Sequence, residues 1–382
     1  MTRIGFAYNQ KPEATVGLVS ATTSESRADE EPPSNDDVFA EWDSATTIDA
    51  VASALSAYGV VIRLEATQDF PETLRAERPD IVFNIAEGLH GTNREAHVPA
   101  ICEFFDIPYS GSDPFTLSLC LHKGRAKDVL TAYGIPNATY ALIETVSHLE
   151  KFLSGGSLLG LRPTPSAPLF LKPVEEGSSK GITEKNLVRT MEELEAQSRF
   201  LLETYAQPVI AETFLPGAEF TCGVLGNGAS ARMLPPVAIN FASLPPGAVP
   251  IYGYEAKWIW DVPSDPLDIF ECPARIDARL QAAIEDVVLR AYRVLGCRDW
   301  SRIDVRLDAE GVPNIVEVNP LPGILPNPAD NSCLPKAARA AGLNYDRLIQ
   351  AALLHAAERH NIQLTPRPTL HLDRSPFHAG AA

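Results

Sequence analysis

Apolar and polar positions alternate in short runs and then switch to helical spacing, and the switch repeats along the chain. Residues 3–9 alternate, with Ile4, Phe6 and Tyr8 on one side, and read as a strand. Ile48, Val51, Ala52 and Leu55 share one face of a helix over 46–58 that Gly59 stops. Residues 60–64 read as a second strand. Residues 79–85 read as a third, whose unbroken apolar centre suits a parallel strand covered on both faces. A helix over 93–105 and an extended stretch at 107–109 follow. Strand and helix in alternation predict a doubly wound α/β unit across residues 1–114.

A second unit, 115–216, opens with helical spacing over 117–133 around Lys123, closed by Gly134, with Ile135-Pro136 forcing an extended exit. Residues 154–167, with Gly155-Gly156 and two prolines, read as a loop. A strand at 169–172 runs into Glu176-Gly177-Ser178-Ser179-Lys180-Gly181, and a helix over 188–205 precedes a strand at 208–212. A third unit, 217–365, begins with a strand at 219–225 and a turn at Gly226-Asn227-Gly228. Leu280, Ile284, Val287, Val288, Ala291, Val294 and Leu295 line one face of a helix over 278–295. A hairpin pairs 302–307 with 314–319, and a helix over 344–360 comes last. Residues 366–382 read as a polar tail.

Composition narrows the function. The 382 residues carry 32 Lys and Arg against 49 Asp and Glu, a formal charge of −17. That balance argues against a nucleic-acid footprint and against polybasic docking to an anionic membrane. No apolar run reaches the roughly 18 residues of a membrane-crossing helix, and the N-terminus lacks the basic-then-apolar pattern of a secretion signal. Six dispersed cysteines with no C-x-x-C pair read as buried thiols of a cytoplasmic protein. Residues 11–37, polar and rich in Ser, Thr, Glu and Pro, form a long loop that either folds over a substrate site or stays disordered.

Two local patterns carry chemistry. The loop 176–181 lets several backbone N–H groups and two hydroxyls converge on an anion, and Lys172 on the preceding strand reaches the same place. The same loop also fits G-x-S-x-G, which would make Ser179 a hydrolase nucleophile, although Ile182-Thr183-Glu184 does not open the helix that motif requires. The hairpin is more telling. Alternation puts Arg302, Asp304 and Arg306 on one face and the aliphatics on the other, and Glu317 and Asn319 likewise share a face. With a four-residue tip at 309–312, Asp304 faces Glu317 and Arg302 faces Asn319. Two carboxylates directly across a ladder repel, and a divalent cation with oxygen ligands relieves that repulsion.

These pieces, taken with Ile107-Pro108-Tyr109-Ser110-Gly111-Ser112, Glu212-Thr213-Phe214-Leu215-Pro216-Gly217-Ala218-Glu219, Tyr254-Glu255-Ala256-Lys257 and Glu317-Val318-Asn319 with Pro322-Gly323, occur in an order that resembles ATP-grasp enzymes of the D-alanine–D-alanine ligase type, from about Ile81 to Ala340. The resemblance implies an ATP-grasp fold of three subdomains: the doubly wound N-terminal domain, and a nucleotide held between two α+β subdomains. It implies ATP and two Mg²⁺ ions, with Mn²⁺ as a substitute, small amino-acid substrates and a homodimer. Lys123 and Lys172 would touch the phosphates, with Glu176, Gly177, Ser178 and Ser179 closing over them. Glu212, Thr213, Phe214 and Leu215 would hold the adenine, Glu219 the ribose, and Lys257 the terminal phosphate. Asp304, Glu317 and Asn319 would hold the metal. Arg302 would stabilise an oxyanion, with Lys257 and Ser179 completing the catalytic set.

Residue chemistry agrees with that implication. A carboxylate becomes an acyl donor once phosphorylated, and an amine then displaces phosphate. Such a reaction needs positioning, cations and exclusion of water more than covalent help. Both amino-acid half-sites depart from the family pattern. The Gly-rich loop with Ser and Glu is missing after the first strand, and residues 84–95 are altered, which makes Glu87, Arg94 and Glu95 candidates for gripping a charged substrate, with Tyr254, Gly323 and Ser332 as further substrate contacts. The leading expectation is a carboxylate–amine ligase. A nucleotide-binding sensor without turnover, and a serine hydrolase using Ser179, are the alternatives.

Overall fold

The computed structural model describes residues 1–12, 39–88, 90–155, 160–253, 255–260 and 267–367, with the side chains of Lys257 and Trp258 outside that description. The expectations for residues 13–37, Tyr254, most of the tail and the Lys257 side chain therefore lie outside the described residues.

The first unit is a parallel sheet of β1 (Arg3–Tyr8), β2 (Val60–Glu65) and β3 (Ile81–Asn84), ordered β2-β1-β3. Tyr109 adds one parallel bridge to Val82, so 107–109 is extended as expected. Helix Ala45–Ser56 starts where the Ser44 hydroxyl accepts the Thr47 amide, and it buries Ile48, Val51 and Leu55. An eight-residue helix, Phe70–Glu77, absent from the expectations, starts with Pro71 in its first turn, where a missing N–H does no harm.

The second sheet is antiparallel: β4 (Tyr140–Ile143), β5 (Leu169–Pro173), β6 (Leu187–Val188) and β7 (Val209–Thr213), ordered β4-β7-β5-β6. Helices Val146–Leu153 and Met191–Tyr205 cover it. The second helix begins later than the expected residue 188, because Thr190 and Glu193 form a reciprocal capping box and leave Leu187–Val188 to pair as a strand.

The third sheet comprises β8 (Glu219–Leu225), β9 (Arg232–Met233), β10 (Val237–Ile239), β11 (Phe270–Glu271), β12 (Trp300–Leu307) and β13 (Pro313–Asn319), ordered β11-β10-β8-β12-β13 with β9 beside β8. Ile284, Val287, Val288 and Ala291 of helix Ala278–Val294 pack with Cys222, Val224, Ile303, Val305 and Val318 into one core. A second core ties the chain's ends together: Ile4, Phe6 and Leu55 share it with Leu348, Ala352, Leu353 and Ala356 of helix Tyr345–Arg359.

The expected helix over 117–133 is two helices, Pro114–Leu121 and Lys123–Ala132. His122 between them is extended (ψ 91°), and its Nδ1 accepts the Arg125 amide as the cap of the second helix. The break puts Lys123 in a first helical turn. It is one of the side chains that face the space between the second and third sheets.

Candidate active site

That space is a cavity of about 560 Å³. At one end Phe170, Phe214, Ile182 and Ile251 form an apolar cluster beside the β7 exit, where Glu212, Thr213, Phe214 and Leu215 all line the wall. Glu219 is not left open there. Arg306 donates to its carboxylate at 2.8 Å and to the Pro250 carbonyl at 2.8 Å, and its guanidinium lies 4.7 Å from the Phe214 ring centre.

The middle of the cavity is cationic and anionic in alternation. Lys123 Nζ lies 2.5 Å from the Glu176 carbonyl and 2.8 Å from Glu317 Oε1. Lys172 Nζ lies 2.5 Å from Glu212 Oε1. The loop after β5 runs through two consecutive left-handed residues, Ser178 (φ 51°) and Ser179 (φ 64°), and Ser179 Oγ donates to the Tyr252 carbonyl at 3.2 Å. Among the described residues no histidine lines the cavity.

On the hairpin, Asp304 faces Glu317 and Arg302 faces Asn319, as expected. The reason differs from the expectation. The tip is five residues, 308–312, and a bulge that leaves Val316 over restores the register. Thr221 donates to Asp304 Oδ1 at 2.9 Å, and Arg302 lies 3.0 Å from Oδ2. Burial, with repulsion from Glu317, raises the Asp304 carboxyl despite Arg302. Burial also pushes Glu317 up, but Lys123 and Lys172 more than reverse it and hold it low.

The far end holds the substrate candidates. Glu87, Glu95, Gly323 and Ser332 line the cavity; Ser332 Oγ accepts the Leu325 amide at 3.1 Å. Burial raises Glu95 to about 8 and Glu87 well above the usual carboxylate range. Arg94 is not brought to the wall. It is buried, donating to Glu41 at 3.1 and 3.2 Å and to the Glu175 carbonyl at 2.9 Å.

Glu41 is the residue that sequence reasoning missed. Lys11 N–H donates to the Asp43 carbonyl and Asp43 N–H to the Asn9 carbonyl, so the chain returns after residue 38 to the point it left. Residues 39–44 thereby reach the cavity. Glu41 accepts from Lys180 at 3.2 Å and from the Gly177 amide at 3.0 Å, tying the first unit to the loop 176–181.

The family model for the D-ala D-ala ligase C-terminus matches residues 129–354. D-alanine–D-alanine ligases of Cupriavidus taiwanensis and Bordetella petrii are 32% and 34% identical to this chain, over 72% and 73% of it and 76% of each relative. The chain belongs to the D-alanine–D-alanine ligase family. An uncharacterised Sinorhizobium fredii protein is 29% identical over 84% of this chain and 90% of its own. The crystal structure of the Bacillus anthracis D-alanine–D-alanine ligase complexed with ATP is 20% identical and superposes with a TM-score of 0.64 over 94% of this chain and 99% of that one, a likeness of fold.

The fold is ATP-grasp, and the activity of the family is ATP-dependent joining of a carboxylate to an amine with formation of a C–N bond. The sensor and hydrolase alternatives are not favoured. Among the described residues no helix is long and apolar enough to cross a membrane.

Proposed function

We propose that this ligase joins two amino acids through an acyl phosphate, with nucleotide base at the Phe170–Phe214 end and the amino acids at the Glu41–Ser332 end. The observation that carries the reading is the convergence of Lys123, Lys172, Arg302, Asp304 and Glu317 on one cavity. Phe214 and Leu215 offer the base an apolar slot with backbone polar groups, and the Glu219–Arg306 pair sits where a ribose would follow. Lys123 and Lys172 hold the phosphates. The loop 176–181 excludes water so that the acyl phosphate meets the amine first. A donor carboxylate oxygen attacks the terminal phosphorus and ADP leaves; the acceptor amine attacks the acyl carbon, loses a proton and expels phosphate. Arg302 faces the oxyanion formed between those events.

Asp304, Glu317 and Asn319 fit a divalent cation, since each offers an oxygen ligand and the two carboxylates face each other across the ladder. Among the described residues no three His, Cys, Asp or Glu side chains are grouped so as to hold a metal ion. Magnesium bound there would neutralise phosphate charge during transfer.

Both half-sites support substrates other than a minimal pair. Glu41 stands near Glu87 and Glu95 at the donor end. Beyond Arg302 the wall turns apolar, with Ile239, Phe270, Ile324 and Leu325, which suits an acceptor bearing a branched or aromatic side chain. The D-alanine pair named for the relatives is the first to assay. Homodimerisation and a cytoplasmic setting complete the proposal, the first checked by light scattering. Phosphate release and product mass, measured with ATP, Mg²⁺ and pairwise mixtures of D- and L-amino acids, test the reading. A mass-confirmed dipeptide is expected. Absence of phosphate release from every mixture would overturn it.

A further inference from the structure

Lys127 takes no part in the chemistry above. It lies one helical turn after Lys123, is 2% exposed, and is absent from the wall of the nucleotide cavity. Its Nζ sits 3.0 Å from Glu212 Oε2, while Lys172 Nζ sits 2.5 Å from Oε1 of the same carboxylate. One buried anion is thus shared by two buried cations, and only one of the cations faces the nucleotide.

We propose that Lys127 is a positioning residue that neutralises Glu212 and so leaves the positive charge of Lys172 available to the nucleotide phosphates. The inference rests on the ATP site proposed above. The trio Lys127, Glu212 and Lys172 carries a net +1. Without Lys127 the remaining pair is neutral, and Lys172 is held by Glu212 instead of by phosphate. In the low dielectric of a buried site that difference is felt strongly. Burial alone pushes Glu212 up, but the two lysines together hold it down to about 2, so it is an anion throughout the working range.

The distinguishing readout is phosphate number. Affinities of the full-length enzyme for adenosine, ADP and ATP are measured by calorimetry for wild type, Lys127→Met, Lys127→Arg and Lys127→Met/Glu212→Gln. In Lys127→Met, ADP and ATP should bind about tenfold or more weakly, the size of a lost charge-assisted contact, with adenosine changed less than about twofold. Lys127→Arg should restore tight ATP binding. The double variant removes anion and cation together, keeps the net +1 of the trio on Lys172, and should regain the advantage of ATP over adenosine even if the single variant folds poorly. Equal weakening of adenosine and ATP, or a double variant that gains nothing from phosphates, would overturn the inference. If wild type itself binds ATP no better than adenosine, the ATP site falls, and this inference with it.

Discussion

Replacing Glu41 with glutamine keeps the shape of the side chain and deletes its charge. The native carboxylate accepts two bonds from Arg94, one from Lys180 and one from the Gly177 amide, with little solvent access. Glutamine offers a single acceptor oxygen to those donors. Arg94 keeps its bond to the Glu175 carbonyl and Lys180 its ion pair with Glu176, so the loss falls mainly on the docking of the loop. A hydrogen bond to a charged group contributes roughly 1.5–3 kcal/mol, so docking should weaken by about 2–3 kcal/mol, or roughly 30- to 150-fold. Hydrogen exchange over residues 175–182 reads this directly, because the Gly177 amide is the one Glu41 accepts. Exchange there should accelerate by that factor while the β8 and β12 amides stay protected, and kcat/KM should fall by about tenfold or more. Burial pushes Glu41 up, but Arg94 and Lys180 bring it below the usual carboxylate range. A depressed carboxylate stabilises above its unfolded pKa and loses that as pH falls through the folded value. Protection should therefore be flat from about pH 6 to about pH 9 and fail only in acid. Unchanged exchange at 175–182 together with kcat/KM within about twofold of wild type would refute the reasoning.

Asp304→Asn and Glu317→Gln should each cut kcat by at least about a hundredfold with an unaltered melting curve, since each removes a ligand of the proposed divalent cation; near-normal phosphate release in either would sink the metal assignment. Arg359→Met should destabilise by roughly 3–5 kcal/mol, because it removes the cation 2.9 Å from the fully buried Asp299 carboxylate and leaves that charge to the neutral Gly111 and Asn227 amides; a urea midpoint matching wild type would contradict this. Burial pushes Asp43 up to about 7, with Lys11 pulling the other way. A raised acid stabilises the fold below its unfolded pKa and loses that as pH rises through the folded value. Asp43→Asn should therefore gain on wild type between about pH 4 and pH 7 and keep a constant lead above, and urea midpoints at the two ends would differ equally if the idea were wrong.

The hairpin that lines the cavity was readable from residue order alone because strand alternation is a local rule. Any pairing that keeps the aliphatics of 303–307 inside puts Arg302, Asp304 and Glu317 on the other face. The register came out correctly although the tip is one residue longer than expected, since the bulge at Val316 compensates. The Gly- and Ser-rich loop 176–181 and the Lys172 strand before it were likewise visible, and both line the cavity.

Tertiary structure alone decided which side chains share a charge. Glu41 reaches the loop because the two ends of the excursion after Pro12 pair with each other, a contact no periodicity encodes. The same closure pairs Arg94 with Glu41. Lys123 and Lys127 fall in one apparent helical run, but only the His122 break and the facing Glu212 assign one to the cavity and the other behind it. Local pattern sets the face of an element. Buried ions are set by what arrives opposite, and that depends on how distant segments close.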